Sequence, residues 1–151
     1  MAVRSMLCVA AVALLWSGGA SAHLDGDVAS VQADAAALYG LTHATALLSY
    51  DVQQIDTAAG LTVREFVARD GTVFALSWTG PVLPDMRQLL GQHFGDYTAA
   101  LAALDQPGLR RSVRIALPGL VVESGGHLRA YSGRAYLPAR VPDGVSLSEL
   151  R

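Results

Sequence analysis

Five side chains between residues 127 and 136 are the first candidates for chemistry. His127-Leu128-Arg129-Ala130-Tyr131 alternates polar and apolar residues, so a strand there places His127, Arg129 and Tyr131 on one face. A bulge at Ser132-Gly133 slips the phase by one, and Arg134 and Tyr136 then continue that face as a ledge of one His, two Arg and two Tyr. Guanidinium forks rimmed by aromatic rings suit an anionic or sugar-like ligand. The competing reading is the solvated face of an edge strand, its tyrosines covering neighbouring apolar surface.

His23 offers a different chemistry. A cut after Ala22 makes it the first residue of the remaining chain, with a free α-amine and an imidazole together, a pair that chelates Cu(II). His43, His93 and His127 are the candidates to complete a three-nitrogen plane, and nothing in their spacing brings one of them to residue 23. Without such a partner His23 is simply a terminal residue.

Glu123 and His127 flank Gly125-Gly126 like an acid and a base, but a catalytic site also needs a nucleophile or metal, an orienting group and a charge stabiliser. None has a recognisable spacing. Ser124-Gly125-Gly126 has Val122 where a nucleophile elbow needs glycine. No HExxH, EF-hand loop, phosphate loop or dinucleotide fingerprint occurs. Glu65 and Asp85 read as surface charges, and Trp78, beside the rigid exit Gly80-Pro81-Val82-Leu83-Pro84, reads as core packing. The resulting expectation is a non-catalytic protein without a cofactor. The alternative is a copper-dependent enzyme using His23, or a hydrolase with no recognisable motif.

The first 22 residues set the compartment. Arg4, the apolar run Met6 to Trp16 and the small residues ending in Ala20-Ser21-Ala22 form the three regions of an export signal. As a helix the apolar run extends about 16 Å, about half a hydrocarbon core, so no stable membrane span is expected after cleavage. The expected cut follows Ala22, with a cut after Ala20 as the fallback. The organisation is therefore a signal peptide at 1–22 and a single exported domain at 23–151, periplasmic or secreted. Cys8, the only cysteine, leaves with the signal, so stability must come from packing, without disulfides or thiolate metal sites. All eleven basic residues are arginine and the thirteen acids outnumber them, which disfavours nucleic acid as a partner.

Asp25 to Tyr39 carries Val28, Val31, Ala35 and Leu38 at helical spacing, ending at Gly40. Ala46 to Asp56 turns toward an exposed or edge strand. Leu61–Ala68 and Thr72–Trp78 are strands around Arg69-Asp70-Gly71, a hairpin turn. A two-residue turn sets Val67 against Phe74 and Glu65 against Leu76. A three-residue loop with a bulge sets Phe66 against Phe74 and Arg64 against Leu76, and is favoured because it pairs the aromatics. Asp85 starts a helix, which Gly91 and Gly95 interrupt, so one kinked helix or two short ones present Met86, Leu90, Tyr97, Leu101 and Leu104 to the sheet. Arg110–Leu117, Leu120–Glu123 and His127–Leu137 follow as strands, with Ser124-Gly125-Gly126 as a tight turn and an irregular tail from Pro138. Strands joined by short turns around one helical insertion predict an α+β domain with a mainly antiparallel sheet.

Two segments carry a family resemblance. Phe74-Ala75-Leu76-Ser77-Trp78-Thr79-Gly80-Pro81-Val82-Leu83-Pro84-Asp85 with Leu89-Leu90-Gly91, and Val121 through Pro138, resemble the proteobacterial exported proteins grouped as domain of unknown function 2844. The resemblance implies a single exported domain of a Gram-negative bacterium and carries no activity, cofactor or catalytic residue. The expected role is binding of an envelope protein or an anionic or glycan ligand, or an accessory role in the envelope, with His127, Arg129, Tyr131, Arg134 and Tyr136 as the candidate surface.

Overall fold

The computed structural model describes residues 24–27, 31, 32, 36, 38, 40–104 and 112–151. The expected signal segment and His23 lie outside these residues. Of the helix expected over Asp25–Tyr39, Val31, Gln32 and Ala36 are described and helical, whereas Asp25, Gly26, Asp27 and Leu38 are described and not helical, because Asp25 and Gly26 instead exchange backbone hydrogen bonds with Val73; the other residues of that span lie outside the described ones.

Among the described residues seven strands form one sheet: β1 (Gly40–Ala46), β2 (Tyr50–Thr57), β3 (Thr62–Ala68), β4 (Val73–Gly80), β5 (Ser112–Leu117), β6 (Leu120–His127) and β7 (Ala130–Tyr136). Their spatial order is β1-β2-β3-β4-β7-β6-β5, and every pair is antiparallel. Between β4 and β5 the chain makes two short helices, α1 (Met86–Leu90) and α2 (Phe94–Ala102). The architecture is α+β, with the expected antiparallel sheet and helical insertion.

The helices form where local chemistry asks for them. The Asp85 carboxylate accepts hydrogen bonds from the backbone N–H groups of Arg87 and Gln88, at 2.8 and 3.3 Å, satisfying donors that the first turn leaves open. Gly91 ends α1 at φ 50°. The chain restarts at Phe94 after a 3-10 turn, so the inward positions are Phe94, Tyr97, Ala100 and Leu104. Leu101, expected against the sheet, is instead 38% exposed, because the restart rotates it off the inward stripe.

Beneath the helices lies the larger core, with Ile55, Val63, Val67, Leu76, Trp78, Val122 and Ala135 among its members. Leu24 is built into it, its N–H donating to the Leu89 carbonyl at 3.0 Å. Glu65 lies on this same face, fully buried between Val63 and Val67. The expected surface charge is thus an interior one, because strand alternation places residue 65 with its apolar neighbours.

The opposite face holds a second core of Tyr50, Phe66, Phe74, Ala75, Val121, Tyr136 and Leu150. The three rings of Tyr50, Phe66 and Phe74 meet at centroid distances of 5.8 to 6.3 Å. The segment from Pro138 crosses this face through two 3-10 turns and drives Leu150 into the aromatics.

Three local expectations change. Arg69-Asp70-Gly71 does form a three-residue loop, closed by Ala68 N–H donating to the Thr72 carbonyl and by Gly71 at φ 88°. Beyond it the register shifts at Phe74, so Phe66 faces Ala75 and Arg64 faces Ser77, while Phe66 and Phe74 meet side by side. β1, made of short exposed residues, pairs outside β2, and β2 begins at Tyr50 rather than Ala46. The turn between the last strands is at Leu128-Arg129, not Ser124-Gly125-Gly126, since β6 continues through both glycines to His127, which pairs with Ala130.

Candidate functional site

Successive registers of the sheet align one row of polar residues across all seven strands. His43, Gln54, Arg64, Ser77, Arg134, Glu123 and Arg114 follow one another from β1 to β5. Directly paired residues share a face, and this row lies beside the second core: Arg64 is two residues from Phe66 and Arg134 two from Tyr136. A second row, two residues further along the strands, contains Thr62, Thr79, Ser132, Gly125 and Ser112. From β3 to β5 the two rows floor a trough of about 690 Å³, with Leu150 and Arg151 at its side.

The charges in the trough are wired together. Glu123 accepts from Arg134 Nε and Nη2, both at 2.7 Å, and its other oxygen lies 3.3 Å from Arg114 Nη1. Arg134 also donates to the Leu147 carbonyl and sits over the Tyr136 ring at 5.8 Å. Arg64 donates from Nε to Gln54 Oε1 at 2.9 Å and from Nη1 to the Arg151 main-chain oxygen at 2.7 Å. Two guanidinium groups therefore flank the Glu123 carboxylate, and a third, that of Arg64, stands two strands from Arg134 in the same trough, in a chain whose formal net charge is −2.

Asp56 supports Arg64 from behind. Its carboxylate accepts from Thr62 Oγ1 at 2.6 Å and Gln54 Nε2 at 2.8 Å, which turns the Gln54 carbonyl oxygen toward Arg64. The Thr62 bond first, then the Gln54 bond, hold the Asp56 carboxyl below the ordinary carboxylate value, with smaller help from the His43 and Arg64 charges. A lowered folded value means that the stabilisation is present above the unfolded value of about 3.9 and is lost as pH falls through the folded one. Melting temperature followed from pH 5 to pH 2 is therefore expected to fall less steeply for Asp56→Asn than for the wild-type protein. Parallel curves would show that Asp56 carries no such linkage.

The five residues expected to form a ledge do not share a face. No bulge interrupts β7, which pairs without slippage from Ala130 to Tyr136. Tyr131 consequently points to the opposite side from Arg134 and Tyr136. His127 is exposed at the end of β6, its Nδ1 3.3 Å from the Leu128 carbonyl oxygen, and Arg129 occupies the turn at φ 65°. Of the five, Arg134 alone lines the trough, its guanidinium over the buried Tyr136 ring of the second core. Arg64, Arg114, Ser77 and the hydroxyl row are the members that strand alternation alone missed. Arg64, Arg134 and Glu123 each lie two positions from a residue of the second core, and Arg114 is placed by its pairing with Glu123, a signal that becomes visible once the register is known.

Trp78 is packed over Gly133 in the helix-side core and is 2% exposed, as expected. Among the described residues no group of three or more His, Cys, Asp or Glu is placed to hold a metal ion, and no described helix is long and apolar enough to cross a membrane. His23 and its copper chemistry fall outside the described residues.

Comparison with curated proteins and comparison with solved structures each return no match. The family model described as "Protein of unknown function (DUF2844)" matches residues 20–150. That span takes in both polar rows, the helical insertion and nearly all of the segment closing the trough, and the chain belongs to the DUF2844 family.

Proposed function

We propose that this protein is an exported, non-catalytic binding domain whose trough holds an anionic component of the cell envelope. The observation that carries the reading is the line of three arginines, Arg64, Arg134 and Arg114, in one trough whose lining side chains include a single carboxylate, that of Glu123. The trough offers fixed guanidinium and hydroxyl groups, which hold oxyanions through charge-assisted hydrogen bonds. Because the whole chain is slightly acidic, attraction of an anion must arise from this local field. Export rests on the three-part signal at residues 1–22, and Leu24, two residues beyond the expected cut, is already part of the core.

Protein recovered from a Gram-negative envelope is expected to start at His23 by intact mass, and to bind immobilised dextran sulfate in a salt-dependent way. Arg64→Ala combined with Arg114→Ala should weaken that retention about tenfold or more, while Arg129→Ala, on the turn, should leave it unchanged. Equal retention of the double variant and the wild-type protein would overturn the trough as the binding surface.

A further inference from the structure

We infer that the ligand of the trough is a linear acidic polysaccharide, a chain of uronate sugars lying across the strands; this rests on the anion-binding reading above. Arg64, Arg134 and Arg114 occupy alternate strands of one row, β3, β7 and β5. Positive charge therefore recurs every two strand spacings, roughly 10 Å. In an extended, β-linked uronate ribbon neighbouring rings flip, so carboxylates of alternate rings fall on one edge, at a repeat of two sugar lengths. The two repeats run in the same direction when the ribbon crosses the sheet.

The second row supplies the other half of the recognition. Thr79, Ser132 and Ser112 are exposed and lie two residues from the charged row, roughly 7 Å along the strands. A pyranose ring spans such a gap, with its carboxylate on one side and ring hydroxyls on the other. Serine and threonine hydroxyls both donate and accept, as sugar hydroxyls do. At Gly125 the row has no side chain, which leaves the floor open between Ser132 and Ser112.

Two features narrow the anion class. Glu123 stands between Arg134 and Arg114 and disfavours ligand charge at that strand, so a polyanion charged at every short repeat fits worse than one with widely spaced carboxylates. From β3 to β5 neither polar row carries an aromatic side chain, so the floor of the trough gives a neutral sugar no stacking platform and relies on charge.

Titration calorimetry with β-linked oligomannuronates of two and six residues, cellohexaose and polyphosphate tests the inference. The hexamer should bind, the dimer about tenfold more weakly or worse because it cannot reach both Arg64 and Arg114, and cellohexaose not at all. Arg64→Ala and Arg114→Ala should each weaken the hexamer about tenfold. The Arg114 side chain is 69% exposed, so this variant leaves both cores intact, and Arg114→Lys, which keeps the charge without the fork, should fall between. If dextran sulfate binds in an arginine-dependent way but the hexamer does no better than the dimer, or polyphosphate binds as tightly as the hexamer, the uronate inference is overturned and the anion reading stands. If neither the hexamer nor dextran sulfate responds to the arginine changes, both fall.

Discussion

Leu150→Ala is expected to cost about 3–4 kcal/mol of stability, the range for emptying a fully buried leucine site that relaxes only in part. Leu150 is 0% exposed and packs with Tyr50, Phe66, Phe74 and Tyr136. These rings are held by strands on either side of the sheet centre and cannot close over the vacated volume together. The same leucine anchors the segment whose main-chain oxygens at Leu147 and Arg151 accept from Arg134 and Arg64. Its loss should therefore also release both guanidinium groups from their present orientation. Urea unfolding followed by far-UV circular dichroism gives the first quantity, and dextran sulfate retention the second. A stability loss below about 1 kcal/mol would mean that the closing segment contributes little to the second core.

Gly133→Ala is expected to be nearly as damaging, about 3 kcal/mol, at the upper end for overpacking. A Cβ there would lie 2.3 Å from Trp78 Cζ2 and 2.6 Å from the Glu123 carbonyl oxygen. The indole is 2% exposed, with no open space to swing into. The carbonyl belongs to the pairing of β6 with β7 and cannot retreat without opening that ladder. Combining Gly133→Ala with Trp78→Leu should recover part of the loss, so a double-mutant cycle measured by thermal unfolding should show strong coupling. Simple additivity of the two single changes would count against the close packing of residues 78 and 133.

What could be read from the residues alone depended on how local the cause was. The helix start at Asp85 and the loop Arg69-Asp70-Gly71 are set by one or two side chains, and both stand where capping and turn chemistry put them. β1 gave no pattern, because an edge strand of Thr, His and Ala buries almost nothing and so shows no apolar alternation. The turn after Gly125-Gly126 was misplaced for a different reason. Val121 pairs with Tyr136 and Val122 with Ala135, and continuing that register brings the reversal to Leu128-Arg129. The glycines serve the strand, since a Cβ at Gly126 would lie 2.1 Å from the Ala130 carbonyl oxygen. Arg129 takes the left-handed conformation itself, at a cost of order 1 kcal/mol. The trough was the least legible feature. It requires the registers of Arg64, Ser77, Arg134, Glu123 and Arg114 to be known together, and no single strand contains more than one member of the row.

The order of the strands also governs how the molecule must assemble. β1 to β4 and β5 to β7 are two meanders, each made of neighbours in sequence, and only the pairing of β4 with β7 joins them. That pairing closes a loop of roughly fifty residues and pays most of the chain-entropy cost of the topology. Until it forms, β4 exposes an unpaired edge through Ala75-Leu76-Ser77-Trp78, a segment with no charge or proline to discourage association. Ser77 facing Arg134 and Thr79 facing Ser132 lie on that seam. The trough thus comes into being only with this long-range contact, and the folding chain is most prone to aggregate in the interval before it closes.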